Sequence, residues 1–536
     1  MHKSLPITLQ VVANIDEKPT QCPIRKLPFE LLSKIFVLSI SDSRSQGRLE
    51  HSSDFPLTFD VVPCYRHEHA TLPSQLARVC LEWRDTAYAV PQLWTTISVD
   101  FTILPNNASH AIDLWLQRSK PFPLSVELFR NDSLRSTDGW EKVVGTLLRE
   151  SSRWRHLQFR LFFPRHDHDD DYTAVEEMMK SLDPLPALES VEFYPSHWTP
   201  MRPHGGTQPE TVPELKPFLN APTLRSITMR HDIYLLSTRS LGYKPTWSSL
   251  EHLTVSGKEV ELDDLLDVLH HEMYRGLKTL VLQSVYAYDY DYYDDDVQSG
   301  VEALVLPLMS SFCVMEYDRF DMRKVLHLLQ MAGPLVMPSL SSMYIIVCDD
   351  NYDRRDSRVI AQLCGCIQSF QCTASVTTLH LQGPSLDVIP ALHLLFNLHT
   401  LSVIETQPYS STIDDLCGAL RVRQSTSIDS EGENIDGGIV VPKLQHLSLK
   451  IRKNVYRFGI TLPLDLVLEV VKSRWPPDSN PTAVTPVVQC LLSLDLLLHR
   501  GAEEDVSFQS LREIGKAGFQ FTYQFLDPDL HSGNGW

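Results

Sequence analysis

Positive charge is scarce in this chain. Its 536 residues carry 48 lysines and arginines against 67 aspartates and glutamates, a formal net charge of −19. A protein that grips a phosphate backbone needs clustered cations, so this balance argues against a nucleic-acid partner; it fits a solvated acidic surface or a preference for basic partners. Long apolar runs are missing too. Leu491–Leu498 is broken by Ser493 and Asp495 and falls far short of the ~20 residues a membrane span needs. The opening residues, MHKSLPITLQVVANIDEKPT, hold no adequate apolar stretch for a secretory signal and reach Asp16 and Glu17 early. No membrane partner is expected, and the expected location is cytoplasmic, nuclear or both. The ten cysteines are scattered, so free thiols are the default.

Motifs that carry chemistry are equally sparse. The sequence has no phosphate-cradling G-x-x-x-x-G-K-[ST], no dinucleotide G-x-G-x-x-G after a strand, no G-x-S-x-G and no H-E-x-x-H. No enzymatic activity and no cofactor is therefore expected. The most metal-like string is Arg165–Asp171, RHDHDDD, where His166 and His168 stand among aspartates. Adjacent residues of one loop rarely close a coordination sphere, and the string reads as a solvated acidic loop; a metal-dependent hydrolase built on it is the weakest of the rival readings. Cys364, Cys366 and Cys372, in CGCIQSFQC, lack the second cysteine pair of a zinc site and read as small buried hydrophobes.

What the chain does have is a recurring phrase. From about residue 150 an apolar residue is followed by two variable residues, an apolar residue, one variable and an apolar residue, often with proline just ahead. It appears as Trp154/Leu157/Phe159, Leu188/Val191/Phe193, Leu224/Ile227/Met229, Leu250/Leu253/Val255 and Leu277/Leu280/Leu282. It returns as Leu340/Met343/Ile345, Val376/Leu379/Leu381, Leu398/Leu401/Val403 and Leu444/Leu447/Leu449, with a weaker copy at Leu491/Leu494/Leu496. The last two apolar residues of each phrase point to one face of a short strand. Such a unit cannot bury that face alone, so stacked copies share one continuous core. Helical phrases fall between, including Asp263–Tyr274 and Met322–Met331. Strand, loop, helix, loop is the leucine-rich repeat unit, here degenerate, because the spacing varies from 22 to 63 residues. The widest gap leaves room for an unrecognised copy near Val301–Val314. The C-terminal FQSLREIGKAGFQFTYQF predicts a helix ending near Gly515–Gly518 and then a strand.

The N-terminal region has a different pattern. In Ile24–Ile40, IRKLPFELLSKIFVLSI, at about 100° per residue, Leu27, Leu31, Ile35 and Leu38 fall within ~80° of one another. Leu32, Phe36 and Phe29 form a second cluster about 140–200° from Leu27. A surface helix needs one apolar stripe; this one has nearly two, so one side is free for a partner while the other fills a core. Gln75–Val99 reads as a helix with Leu76, Val79, Cys80, Trp83 and Ala87 on one stripe, closed by Pro91, and then Trp94 and a β-branched strand at Thr95–Val99.

This ordered set, LPxELLxxIF, then LxxVCxxWRxxA, then LW, resembles the F-box, and with the repeats the chain is similar to F-box-like proteins of the basidiomycete type with degenerate C-terminal leucine-rich repeats. The resemblance implies an α/β protein: a small helical F-box module over 21–100 with a polar insert at 41–74, a connecting helix and strand over 101–150, and an irregular solenoid over 151–530, between tails 1–20 and 531–536. It implies a substrate-recognition subunit of a Skp–cullin–F-box ubiquitin ligase, binding a Skp-type adaptor and through it a cullin–RING ligase. Leu27, Pro28, Glu30, Leu31, Ile35, Phe36, Val79, Cys80 and Trp83 are the implied adaptor contacts. The insert, long for an F-box, reads as a surface excursion. An alternative is a leucine-rich-repeat scaffold whose F-box is vestigial and no longer binds the adaptor. The target is unknown; the loop YAYDYDYYDDD after Leu282 offers Tyr290, Asp291, Tyr292, Tyr293 and Asp294 as contacts, because tyrosine suits recognition loops and carboxylates select a basic ligand.

Overall fold

The computed structural model describes residues 27–49, 73–101, 104, 107–130, 140–161, 185–193, 218, 220–230, 249–257, 262–270, 272–285, 303–316, 319–331, 335–347, 357–383, 388–406, 412–421, 440–451, 462–475, 489–499 and 502–526. The chain divides into two compact units, Met1–Val99 with Pro105–Val126 and Asp100–Leu104 with Glu127–Trp536.

The first unit opens with helix α1, Phe29–Leu49. Pro28, which has no N–H to lose, precedes it, and its carbonyl accepts the N–H groups of Leu31 (3.0 Å) and Leu32 (3.1 Å). The helix runs past Ile40 into the segment expected to be a polar excursion, so the insert begins as three further turns at most of the same helix and Ser41–Leu49 is helical. The stripe expected to be one helix from Gln75 is broken. A helical turn at 73–76 ends, Cys80 is extended (φ −160°, ψ 174°), and α2, Leu81–Ala89, starts afresh. Arg84 stabilises the break by donating Nε–H to the Ala77 carbonyl (3.2 Å). A 3-10 turn at Pro91–Trp94, strand β1 (Thr96–Asp100), helix α3 (Ala108–Arg118) and strand β2 (Leu124–Arg130) follow. The core of this unit is Leu32, Phe36, Ala77, Ala87, Val90, Leu93 and Trp94, with Val37, Leu76, Trp83 and Trp115 packed around it.

The second unit is α/β and solenoid-like. Its strands are β3 (Trp154–Leu161), β4 (Ser190–Phe193), β5 (Ser226–Arg230), β6 (His252–Ser256), β7 (Thr279–Gln283) and β8 (Ser311–Glu316). They continue as β9 (Ser342–Val347), β10 (Thr378–Gly383), β11 (Thr400–Glu405), β12 (His446–Ile451), β13 (Ser493–His499) and β14 (Gln520–Leu526). Strands β3 to β14 form one sheet in strict sequence order, and their pairs are parallel. Helices α4 (Trp140–Leu148), α5 (Leu262–Leu269), α6 (Arg319–Met331), α7 (Ser357–Ser369), α8 (Ile389–Leu394), α9 (Thr412–Leu420), α10 (Leu464–Arg474) and α11 (Val506–Lys516) complete the described elements.

The register explains why the degenerate phrase still builds one core. The second apolar position of every copy lies on one ladder that passes from Leu157 through Val191, Ile227, Leu253 and Leu280 to Phe521 on β14. In the long gap, Phe312 pairs with Leu280 and Met343, and Val314 with Leu282 and Ile345. Met309, Phe312 and Val314, all buried, are therefore the unrecognised copy. The helix expected at Asp263–Tyr274 divides into α5 and a 3-10 turn at Glu272–Gly276.

The strand entries are held by a repeated backbone device. The Glu189 carbonyl accepts both the Arg225 and Ser226 N–H groups (2.8 and 3.1 Å), and the carbonyls of Arg225, Glu251, Lys278, Ser310, Ser341, Thr377, His399 and Gln445 each receive two successive N–H groups from the next unit in the same way. Hydroxyls add to it: Thr223 Oγ1 donates to the Leu188 carbonyl (2.9 Å) and Ser249 Oγ to that of Leu224 (3.0 Å). The backbone bonds need no particular side chain at the loops, which is how connections of very different length are tolerated.

Candidate docking surfaces

On the first unit, α1 divides its apolar residues between two fates. Leu32 and Phe36 are buried, and the Phe36 ring meets Trp83 edge-on at 4.9 Å. Leu31, Ile35 and Leu38, spaced i, i+4, i+7 on one face, are 47–60 % exposed, as is Phe29 at the first turn. Val79 and Leu81, either side of the Cys80 break, are exposed at 59 % and 70 %. Exposed apolar residues scattered singly need no explanation, but so many within two short stretches make this face a candidate docking surface.

The residues carried over from the F-box pattern thus separate. Leu31, Ile35 and Val79 are exposed, with Pro28 and Glu30; Leu27, Cys80 and Trp83 are half-buried. Phe36 is a correction: at 1 % exposure it belongs to the unit's own core, because it falls one turn from Leu32 on the inward face. Phe29, Leu38 and Leu81 join the exposed set. Leu38 was legible from its angle, whereas Leu81 was hidden by the assumption of an unbroken helix.

The outward face stands on a stiff base. Trp94 donates Nε1–H to the Ala87 carbonyl (2.8 Å) and meets Trp115 edge-on at 4.7 Å. The Arg118 guanidinium lies 3.8 Å from the Tyr88 ring centre and 4.6 Å from that of Trp94, a cation–π arrangement that fixes α3 to the turn at Pro91–Trp94.

In the second unit, the outer side of the sheet, opposite the leucine rows, is a second candidate. One row of outward residues, from His156 on β3 to Gln520 on β14, holds only Ser, Thr, His and Gln, and none carries a fixed charge. It includes His156 Nδ1 with Ser190 Oγ at 2.7 Å and His446 Nδ1 with Ser493 Oγ at 2.6 Å. The neighbouring row is buried in its middle, at Val281, Cys313, Tyr344 and His380. Burial, then the nearby Lys450 charge, pull His380 down to about 4. Lys450 pairs with Asp495 at 3.0 Å, and Asp495 also accepts from Thr522 Oγ1 at 3.0 Å. The row is an uncharged, hydrogen-bonding strip beside a partly apolar one.

The other predicted features carry less. Tyr290, Asp291, Tyr292, Tyr293 and Asp294 lie outside the described residues, as does the Arg165–Asp171 string; two residues after β7, Val285 N–H donates to Glu316 Oε1 (2.9 Å). Cys366 is buried on α7 and donates to the Leu326 carbonyl (3.1 Å), and burial raises its pKa well above that of a free thiol. Cys372 is pushed up to about 12 by burial. Both thiols are protonated and packed. Among the described residues, no group of three or more His, Cys, Asp or Glu side chains is gathered where it could hold a metal, and no helix is long and apolar enough to cross a membrane. No family model and no curated protein matches this chain.

Proposed function

We propose that the chain is the substrate-recognition subunit of a Skp–cullin–F-box type ubiquitin ligase. In this reading the outward face of α1, through Leu31 and Ile35 with Leu27, Pro28 and Glu30, docks a Skp-type adaptor, and Val79, Cys80 and Trp83 contribute from the α2 side. The leucine-rich solenoid takes up a protein target on its outer strand rows, with Tyr290–Asp294, which follow β7 in the sequence, as further contacts. The protein then works by proximity in the cytoplasm or nucleus: it holds the target beside a ubiquitin-loaded enzyme and raises its effective concentration, with no chemistry of its own.

The single observation that carries this reading is the division of α1. A helix of a small module that closes its core with Leu32 and Phe36, flanked by Val37, has no internal need for Phe29, Leu31, Ile35 and Leu38, yet all four are apolar and exposed. Titration of the full chain with a purified Skp-type adaptor tests it. The double substitution Leu31→Asp and Ile35→Asp is expected to weaken binding at least ~100-fold, as loss of two central apolar anchors does, with thermal unfolding unchanged. Binding within a few-fold of wild type would show that the adaptor face has been misassigned.

One observation favours the alternative, a repeat scaffold with a vestigial F-box. Helix α1 continues to Leu49, where an F-box of ordinary spacing would already have turned toward its second half. A chain that ignores the adaptor with residues 50–72 intact and binds it once they are shortened would place the masking in that segment.

A further inference from the structure

We infer that β14, the last of the described strands, is a homodimer interface on which a second copy of this chain adds an antiparallel β14. Among the described residues no strand lies beyond it. A sheet edge left open is a template for another chain, and proteins that remain single guard it with charges, proline or a bulge. Gln520–Leu526 reads QFTYQFL and has neither a charge nor a proline, in a chain whose net charge is −19.

Backbone geometry shows which groups the edge offers. Gln520 N–H donates to the Leu492 carbonyl on the β13 side (3.2 Å), and the β13–β14 register is unbroken from Ser493↔Gln520 to His499↔Leu526. Backbone groups alternate in direction along a strand. Gln520, Thr522 and Gln524 therefore spend theirs on β13, and Phe521, Tyr523 and Phe525 turn their N–H and C=O groups to the open edge.

The occupant is argued from the symmetry of the same seven residues. With a two-fold axis at Tyr523, Tyr523 faces its own copy, Phe521 faces Phe525 of the second copy, and Thr522 faces Gln524. Aromatic meets aromatic on one face of the sheet and polar meets polar on the other, and no like charges are brought together. The three outward residues then exchange about six backbone hydrogen bonds, two per facing pair. The aromatic row is already organised on its own side: Tyr523 lies 5.1 Å from Phe508, 5.3 Å from Phe521 and 5.3 Å from Phe525, ring centre to ring centre. Tyr523 remains 37 % exposed although its register partner Leu496 is fully buried. Among the described residues no further repeat packs beside it, and the second copy supplies one. A self-complementary patch that closes on itself is the two-fold interface expected of a homodimer, and one of this size belongs with concentration-dependent dimers.

The test is the mass of the full chain by sedimentation equilibrium at tens of micromolar. Wild type is expected at twice the 61.1 kDa of one chain. Tyr523→Lys and Tyr523→Glu, which place like charges on the axis, are each expected at the single-chain mass, and their equimolar mixture is expected to regain the doubled mass. Regain also shows that both variants are folded. Phe525→Pro, which removes an outward N–H and leaves the β13 ladder intact, is expected to be single as well. The proposal is overturned by a single-chain wild type, by a dimer that survives these substitutions, or by cooperatively melting variants whose mixture stays single. A wild type that is single while a chain ending at Leu526 dimerises would overturn it too, assigning the edge to residues 527–536.

Discussion

Arg474 brings a positive charge into the interior of the second unit, and among the described residues no carboxylate pairs with it. Its Nε donates to the Leu420 carbonyl (2.8 Å), and its two terminal nitrogens donate to those of Val441 (3.1 Å) and Val440 (2.8 Å). One of these carbonyls ends α9, where the helix dipole is negative, so the charge is partly offset. Burial pulls the guanidinium down to about 10, which leaves it charged at neutral pH. Arg474→Met strands three buried carbonyls and is expected to cost about 2–4 kcal/mol in denaturant unfolding, whereas Arg421→Ala, which breaks an exposed pair with Glu469 (2.8 Å), is expected to cost under ~1 kcal/mol. His380 gives a pH signature. Its folded pKa, about 4, lies below the usual 6.5 because the neutral ring is buried against Tyr344 at 5.9 Å. The unfolded chain therefore takes up the proton first, and this contribution is complete above about pH 6.5 and lost as pH falls toward 4. Wild type is expected to lose up to about 3 kcal/mol more than His380→Gln over that interval, read from paired unfolding curves. Neither residue was legible in the sequence: Arg474 ends an ordinary amphipathic helix and His380 sits at an outward strand position, and only long-range pairing buries them.

At the scale of elements, the apolar spacing of α1 carried most of what matters. The angle between Leu31/Ile35 and Leu32/Phe36 separates exposed from buried side chains. Phe36→Ala is expected to destabilise the first unit by roughly 3–5 kcal/mol, since it removes a buried aromatic ring, and Leu31→Ala with Ile35→Ala is expected to leave its melting within a few degrees of wild type. The comparison distinguishes a core residue from a docking residue without any partner. The break at Cys80 was not legible, because no glycine or proline in LARVCLEWR marks it; the Arg84 Nε–H donated to the Ala77 carbonyl (3.2 Å) is a contact the sequence pattern does not show. The copy at Met309, Phe312 and Val314 was legible only as room in the widest gap, near Val301–Val314, because its spacing is regular but leucine is absent from it. Phe312→Ala, which removes a buried ring 5.6 Å from Phe370, is expected to cost ~3–5 kcal/mol, as at a leucine copy.

Across the whole molecule, the order of the strands followed from the repeated phrase. Each unit buries its leucine row against the previous one, and doubly accepting carbonyls at the strand entries hold the stack whatever the loop length. What the spacing could not supply was the face opposite the leucines, because its rows are joined only by register across residues tens of positions apart. The proposed function requires the first unit to bind a Skp-type adaptor. The most direct measurement is the affinity of the full wild-type chain for a purified Skp-type adaptor. The account predicts one-to-one binding with a dissociation constant of about 1 µM or tighter. A folded chain that shows no binding, both with residues 50–72 intact and with them shortened, would contradict it.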